Sequence, residues 1–377
     1  MRSRMMVVCG AVVLAGFMLA GQLAWAADAQ PAAVDKAAKA AVAFLKGQQR
    51  ATGSFGQRSP DTGITGLVLY GLARSPAVKS PDAEEIVQKA VGYLLKNEQD
   101  DGSINNQPPG LGVYRTSIAV LALKQIDPKK YKTVIRNGQK FLAGAQVSEA
   151  NGKLKQADWQ YGGWSYEGTF DAKGKMQPDL SNLQFAVSAL KDSGLPETDE
   201  AYKRAVVFLQ RCQNRSESND TKTSGNDGGG FYTPNPAGEG MVTLDDGTKV
   251  YPSYGSMTYA LLKSYLFCGL KKNDPRAKAA YDWIVAHYSV DENPGVGQKG
   301  LYYYLLTMAE TLTAMGVDTV KTADGREHNW RDEMLKKVLS LQKADGSWGN
   351  EQDRWMEGDT SLVTGYALAL IGMCGGK

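Results

Sequence analysis

The sequence predicts an all-α fold: an α6/α6 double-ring toroid of six helical hairpins, with small β-hairpin insertions. Two observations carry this. An apolar residue followed four places on by Gln recurs at Leu45/Gln49, Leu95/Gln99, Leu142/Gln146, Leu209/Gln213 and Val338/Gln342. Most copies run into a Gly-rich aromatic turn: Gly53-Ser54-Phe55-Gly56, Gly162-Gly163-Trp164, Gly229-Gly230-Phe231 and Gly346-Ser347-Trp348-Gly349. The second copy keeps Gly102-Ser103 but has Ile104 in place of the ring, and a weaker copy ends with Tyr288 in the Gln position. Repeats a few tens of residues long mark an array of one supersecondary unit. The second observation is polarity. Segments after each turn are apolar nearly all round, as in 118–123, whereas those before it alternate apolar with charged positions, as Glu84, Glu85, Lys89 and Lys96 show. The first kind belongs inside and the second outside. Six of each fit a closed double ring better than an open solenoid, which needs polar capping repeats.

The first hairpin goes out over 36–49 and returns over 62–73, where Gly63, Gly66 and Gly71 allow close packing. Ser80-Pro81-Asp82 starts the second with an N-cap and a first-turn Pro; it returns over 116–123. The third spans 133–146 and 181–191, its connection carrying Trp159, Tyr161, Trp164, Tyr166 and Phe170. The fourth spans 198–213 and 256–268, and its long connection includes a β-hairpin over 241–251, turning at Asp246-Gly247. The fifth spans 275–288 and 301–314, followed by a second β-hairpin over 320–327. The sixth spans 330–342 and 359–373.

Composition narrows the functional classes. The chain of 377 residues carries a net charge of +3, and Arg2 and Arg4 precede an apolar run over 5–19 that closes with Ala24-Trp25-Ala26. That is the pattern of a secretory signal peptide over 1–26, followed by a flexible Ala/Pro-rich leader over 27–35 and a single toroid domain over 36–377. A retained N-terminal anchor is the alternative. Removing two arginines and no acids leaves +1, too little basic charge for nucleic acid. Export to a periplasmic or extracellular compartment is expected, with no transmembrane segment after signal removal. Three cysteines remain once Cys9 leaves, so a full disulfide framework is excluded; Cys212, Cys268 and Cys374 fall too far apart to pair. Two histidines and no Cys/His cluster give no metal site, and no cofactor motif is present.

At the Gln-to-Trp repeats, above all Gln342-Lys343-Ala344-Asp345-Gly346-Ser347-Trp348-Gly349, the chain resembles the squalene/hopene cyclase and protein prenyltransferase superfamily, over roughly 36–373. The resemblance implies the toroid and, more weakly, terpenoid chemistry. Its catalytic motifs do not carry over. There is no D-x-D-D acid run, no D-x-C zinc sequence, no D-D-x-x-D and no G-C-G-E-Q.

Long insertions all fall where return helices begin, which makes that rim the expected mouth of the central cavity. Unsatisfied N–H groups and positive dipole ends there favour an anionic or polar ligand, with apolar walls deeper down. Asp61, Asp179 and Asp359 open three inner helices, as caps or as site residues. Glu357 and Asp359 beside Trp355 are the candidates for a general acid with a raised pKa, or are solvated loop charges. Tyr166, Tyr254, Tyr302, Tyr303 and Trp355 are candidate ligand contacts, although successive residues such as Tyr302 and Tyr303 turn by roughly 100° and cannot all face one way. Arg115 either meets a carboxylate or phosphate at the mouth or forms a surface salt bridge. Three functions follow: a toroid binding an apolar, isoprenoid-like small molecule or lipid, with cyclase-type activity lacking its acid motif; a non-catalytic scaffold for a protein partner; or a glycan-active enzyme.

Overall fold

The computed structural model describes residues 14–106, 110–150, 154–168, 176–221 and 223–375, with side chains from residue 30 onward. The start of the expected signal sequence and Phe170 lie outside the described residues.

Twelve α-helices alternate in outer and inner positions among the described residues. The outer helices are α1 (Leu14–Gln48), α3 (Pro81–Lys96), α5 (Lys132–Gly144), α7 (Glu200–Arg211), α9 (Pro275–Ala286) and α11 (Trp330–Ser340). The inner helices are α2 (Thr62–Arg74), α4 (Gly112–Ile126), α6 (Leu180–Asp192), α8 (Gly255–Phe267), α10 (Leu301–Met315) and α12 (Thr360–Gly375). Each inner helix packs on the next, and α12 packs on α2, so the ring closes. The inner helices are buried almost all round, as their uniform apolarity demands. The outer ones bury one stripe, for example Ala83, Ile86, Ala90, Val91 and Leu94 on α3. Two antiparallel ribbons, β1 (Val242–Thr243) with β2 (Lys249–Val250) and β3 (Thr319–Lys321) with β4 (Glu327–Asn329), sit where the β-hairpins were expected. The 27–35 stretch, expected as a loose leader, lies within α1, and Val34 is buried against Gly375.

The repeat residues are the fasteners of this ring. Gln49 Nε2 donates to Gly53 O of its own turn at 3.0 Å and to Ile86 O of the next outer helix at 2.9 Å. Gln146 does the same with Gly162 O and Ala201 O, and Gln213 with Gly228 O and Arg276 O. Gln342 donates to Gly346 O and, across the seam, to Ala37 O at 2.9 Å. One turn further along each receiving helix, the turn's glycine abuts the backbone. A Cβ on Gly53 would stand 2.2 Å from Lys89 O, and one on Gly346 2.4 Å from Ala40 O; both glycines also have positive φ, 88° and 86°. No other residue satisfies both conditions. In four units a threonine on the inner helix accepts from the turn: Thr65 from Phe55 N, Thr116 from Ile104 N, Thr258 from Gly230 N and Thr364 from Trp348 N. The indoles of Trp164 and Trp348 donate to Leu142 O and Val338 O, carbonyls in the last turn of the outer helix.

The degenerate copies depart as their sequences do. Gln99 turns back onto Asn97 O and Asn105 O, and Asn137 reaches Glu98 instead. Tyr288, in the Gln position of the fifth unit, still reaches the next outer helix, through Glu333 Oε2 at 2.9 Å. The seam itself rests on glycine: a Cβ on Gly71 would lie 2.1 Å from Gly365 O.

Gln342→Ala strips two bonds from a buried turn and is expected to cost about 1–3 kcal/mol in urea unfolding, whereas Gln99→Ala costs under about 0.5 kcal/mol. Equal losses in the two variants would show that the cross-unit bond adds nothing.

Candidate functional site

A cavity of about 290 Å³ opens at the rim where inner helices begin, the mouth expected from the insertions. Six tyrosines dominate it: Tyr114 and Tyr366 from α4 and α12, Tyr303 from α10, Tyr254 at the start of α8, and Tyr166 and Tyr232 from the connections. Phe185 of α6 meets Tyr114 edge-on at 5.5 Å between ring centres and Tyr303 at 6.0 Å. Such tilted and edge-to-face pairs are the favoured geometries of aromatic rings. One polar corner interrupts the wall, where the Tyr303 hydroxyl lies 3.0 Å from Ser181 Oγ and accepts from Gln184 Nε2 at 3.3 Å. Burial pushes the Tyr303 and Tyr366 phenols up, so they stay protonated.

Trp355 and Met356 form the outer lip. Both are left-handed, with φ of 58° and 65°, at a cost of about 1–2 kcal/mol each for non-glycine residues. Both are also exposed, 43% and 47%. The Trp355 ring fits because Gly300 has no Cβ; one placed there would come within 2.4 Å of it.

Directly behind the lip, Glu357 is fully buried rather than a solvated loop charge. Its Oε1 accepts from Tyr303 N at 2.8 Å and its Oε2 from Asn350 Nδ2 at 2.7 Å, so it caps α10 from a different hairpin. Burial raises its pKa to about 7 against the offsetting hydrogen bonds. Asp359 caps α12, accepting from Ser361 N and Leu362 N, and ties in Gln57 N at 2.7 Å. Asp179 caps α6 through Asn182 N at 2.8 Å, is bonded to Tyr232, and is raised by burial to about 6. None of these three carboxylates lines the cavity. Asn293 caps α8 and Asp61 caps α2.

These caps overturn the expectation of free positive dipole ends at the mouth. Five of the inner helices are closed by the protein's own side chains, and in α4 Val113 N donates to Tyr166 O. Arg115 is neither at the mouth nor in a surface salt bridge. It is buried, paired with Asp61 Oδ2 at 2.6 Å and donating to Asn105 and Asn106. Tyr302 is buried in the helix packing and only Tyr303 of the triplet reaches the cavity. Tyr161 and Trp159 lie elsewhere. Thus Tyr166, Tyr254, Tyr303 and Trp355 come together, while Tyr302, Arg115, Asp179, Glu357 and Asp359 stand behind or beside the wall. Tyr232, on a connection, was missed, as were the helical Tyr114, Phe185 and Tyr366. The signal for the helical three was an aromatic within the first two turns of a return helix. Among the described residues no cluster of His, Cys, Asp and Glu is arranged to hold a metal, and the three cysteines are unpaired.

No family model and no curated protein matches the chain. Solved structures do. A variant of the type II terpene cyclase MstE from Scytonema, in complex with geranylgeranyl dihydroxybenzoate, superposes with a TM-score of 0.57 at 14% identity, covering 92% of this chain and 99% of that one. The chain adopts the terpenoid cyclase-like toroid fold. A second similar structure is the GH76A α-1,6-mannanase from Salegentibacter sp. HEL1_6, with a TM-score of 0.55 at 12% identity over 90% of this toroid and 98% of the mannanase. At such identities the likeness concerns the fold alone.

The buried carboxyls set a pH dependence. Glu357 at about 7 in the folded toroid, against 4.5 ordinarily, keeps a proton that the unfolded chain has lost between those values, so stability falls as pH rises through that window. Asp179, at about 6 against 3.8, acts in the same direction at lower pH. Urea unfolding is expected to weaken by about 3–5 kcal/mol from pH 4.5 to 7, and Glu357→Gln should flatten the upper part of that slope. A slope unchanged in the variant would remove Glu357 as its source.

Proposed function

We propose that this toroid is an exported binding protein for an apolar, isoprenoid-like molecule, held among the tyrosines of the rim cavity. The single observation that carries the reading is the wall itself: aromatic and apolar side chains with no carboxylate lining, at helix ends whose N–H groups the protein has already capped. Aromatic faces suit an unsaturated hydrocarbon through stacking and quadrupole contact. The size is at the small end of roughly 300–1,000 Å³ pockets, which favours a short chain or one end of a longer one. The signal-peptide pattern over 1–26 supports export to the periplasm or beyond. Cyclase-type turnover is left out of the proposal because the buried acids are turned toward helix caps. The terpene-cyclase likeness is compatible with this ligand class.

A second reading, a glycan-active toroid, is favoured by the exposed Tyr166 and Trp355 at the lip, which are placed to stack on a sugar ring, and the mannanase likeness is compatible with it. Affinity for a protein partner rests only on the exposed Val242 and Leu244 of the first ribbon.

Native mass spectrometry of the purified protein, followed by lipid extraction, is expected to return a bound apolar molecule. In titration, a prenyl alcohol should bind and α-1,6-mannotriose should not. Phe185→Ala and Trp355→Ala are each expected to weaken the prenyl alcohol about tenfold, or about 1.4 kcal/mol. Tighter binding of the oligosaccharide, with the alcohol inert, would replace the first reading with the second.

A further inference from the structure

The opposite mouth of the ring, where inner helices end, holds a second cavity of about 220 Å³. Its wall is unlike the first. Tyr70 and Arg74 of α2, Asp192 of α6 and Glu310 of α10 face it, beside Phe267 and Met373. Glu310 is fully engaged: it accepts from the buried Lys263 Nζ at 2.6 Å and from the Tyr70 hydroxyl. Arg74 is not. Its guanidinium lies over the Tyr70 ring, 3.6 Å from the centroid, and its Nη1 is buried with no hydrogen-bond partner among the described residues. Asp192 feels Arg74 electrostatically but makes no direct ion pair with it, and among the described residues its carboxylate accepts no hydrogen bond. Nη1 itself is closed off from the cavity, so a ligand there would meet the remaining guanidinium N–H groups, which have no acceptor among the described residues.

Charge selects the bridging group. Arg74 and Lys263 are balanced by Asp192 and Glu310, while Lys124 nearby adds positive charge and the inner-helix C-termini add negative partial charge. An anion meets two carboxylates and those dipole ends; a cation meets two bases. An uncharged group that accepts from Arg74 while donating to Asp192 avoids both, and a hydroxyl or a primary amide has that capacity. Phe267 and Met373 offer surface to a short apolar stem.

We propose that this second cavity is a binding site for an uncharged donor–acceptor head group, a diol or a primary amide, bridging Arg74 and Asp192. It is separate from the tyrosine-lined cavity and does not depend on what that cavity binds. Saturation-transfer NMR on the full chain tests it with four probes of one chain length: 1,2-propanediol, propionamide, propionate and propylammonium. The diol and the amide are expected to give saturable signals, with the two ions at least about tenfold weaker. Arg74→Gln and Asp192→Asn should each weaken the neutral probes about tenfold or more, while prenyl alcohol binding at the other mouth persists. Asp192→Asn leaves the Arg74–Tyr70 stack in place and decides the matter if Arg74→Gln fails to fold. Propionate or propylammonium binding as tightly as the neutral probes would overturn the proposal. So would neutral-probe binding indifferent to Asp192→Asn, or silence from all four probes, which would leave the cavity to water.

Discussion

One side-chain amide, repeated, holds the ring in shape. A glutamine at the end of an outer helix spends both hydrogens of its NH₂ group on backbone carbonyls, one in its own turn and one at the start of the next outer helix. The rest of the unit follows from where that places the chain. The turn must lie flat on the neighbouring helix, which leaves no room for a Cβ; the ring after it must fill the space beneath; and in four units a threonine takes the turn's next N–H. Because the bond supplies the turn glycine's carbonyl with its partner and adds a second donor to a carbonyl of the neighbouring helix, glutamine cannot be exchanged for an apolar residue of like size without leaving the turn carbonyl unmet.

The same economy of caps shapes the chemistry of the mouth. A ring of inner helices would present several positive dipole ends to whatever enters. Here Asp61, Asp179, Asp359, Asn293 and Glu357 occupy those ends, and their placement behind the wall leaves phenols and phenyl rings as the inner surface. The two mouths of the ring thus differ in kind. One is aromatic with its charges turned away; the other carries charged side chains of both signs.

How much of this was legible depended on the range of each interaction. The Gln–Gly–aromatic spacing was readable because all its members sit within a few residues and each is fixed by a backbone demand. Asp179 was readable as a cap for the same reason, since its partner Asn182 is three residues on. Glu357 was not: it caps a helix 54 positions earlier, and nothing near it in the chain announces that. Arg115 was misplaced on the same ground, its partner Asp61 lying 54 residues away. Tyr302 and Tyr303 were separable only as alternatives, because a helical triplet must split its faces and the sequence does not state the phase. The fifth unit kept its geometry while changing its residue, with Tyr288 reaching α11 through Glu333 in place of the usual amide.

The seam joins residues from the two ends of the chain, Gln342 to Ala37 and Gly71 to Gly365. Loops of about that length close late, because the entropy of bringing the ends together must be met before the contact contributes. An incomplete chain therefore cannot shut the circle. Its first and last units would each keep an apolar flank without a mate until the final helix emerges from synthesis, so a chain shortened at either end would gain nothing from the seam.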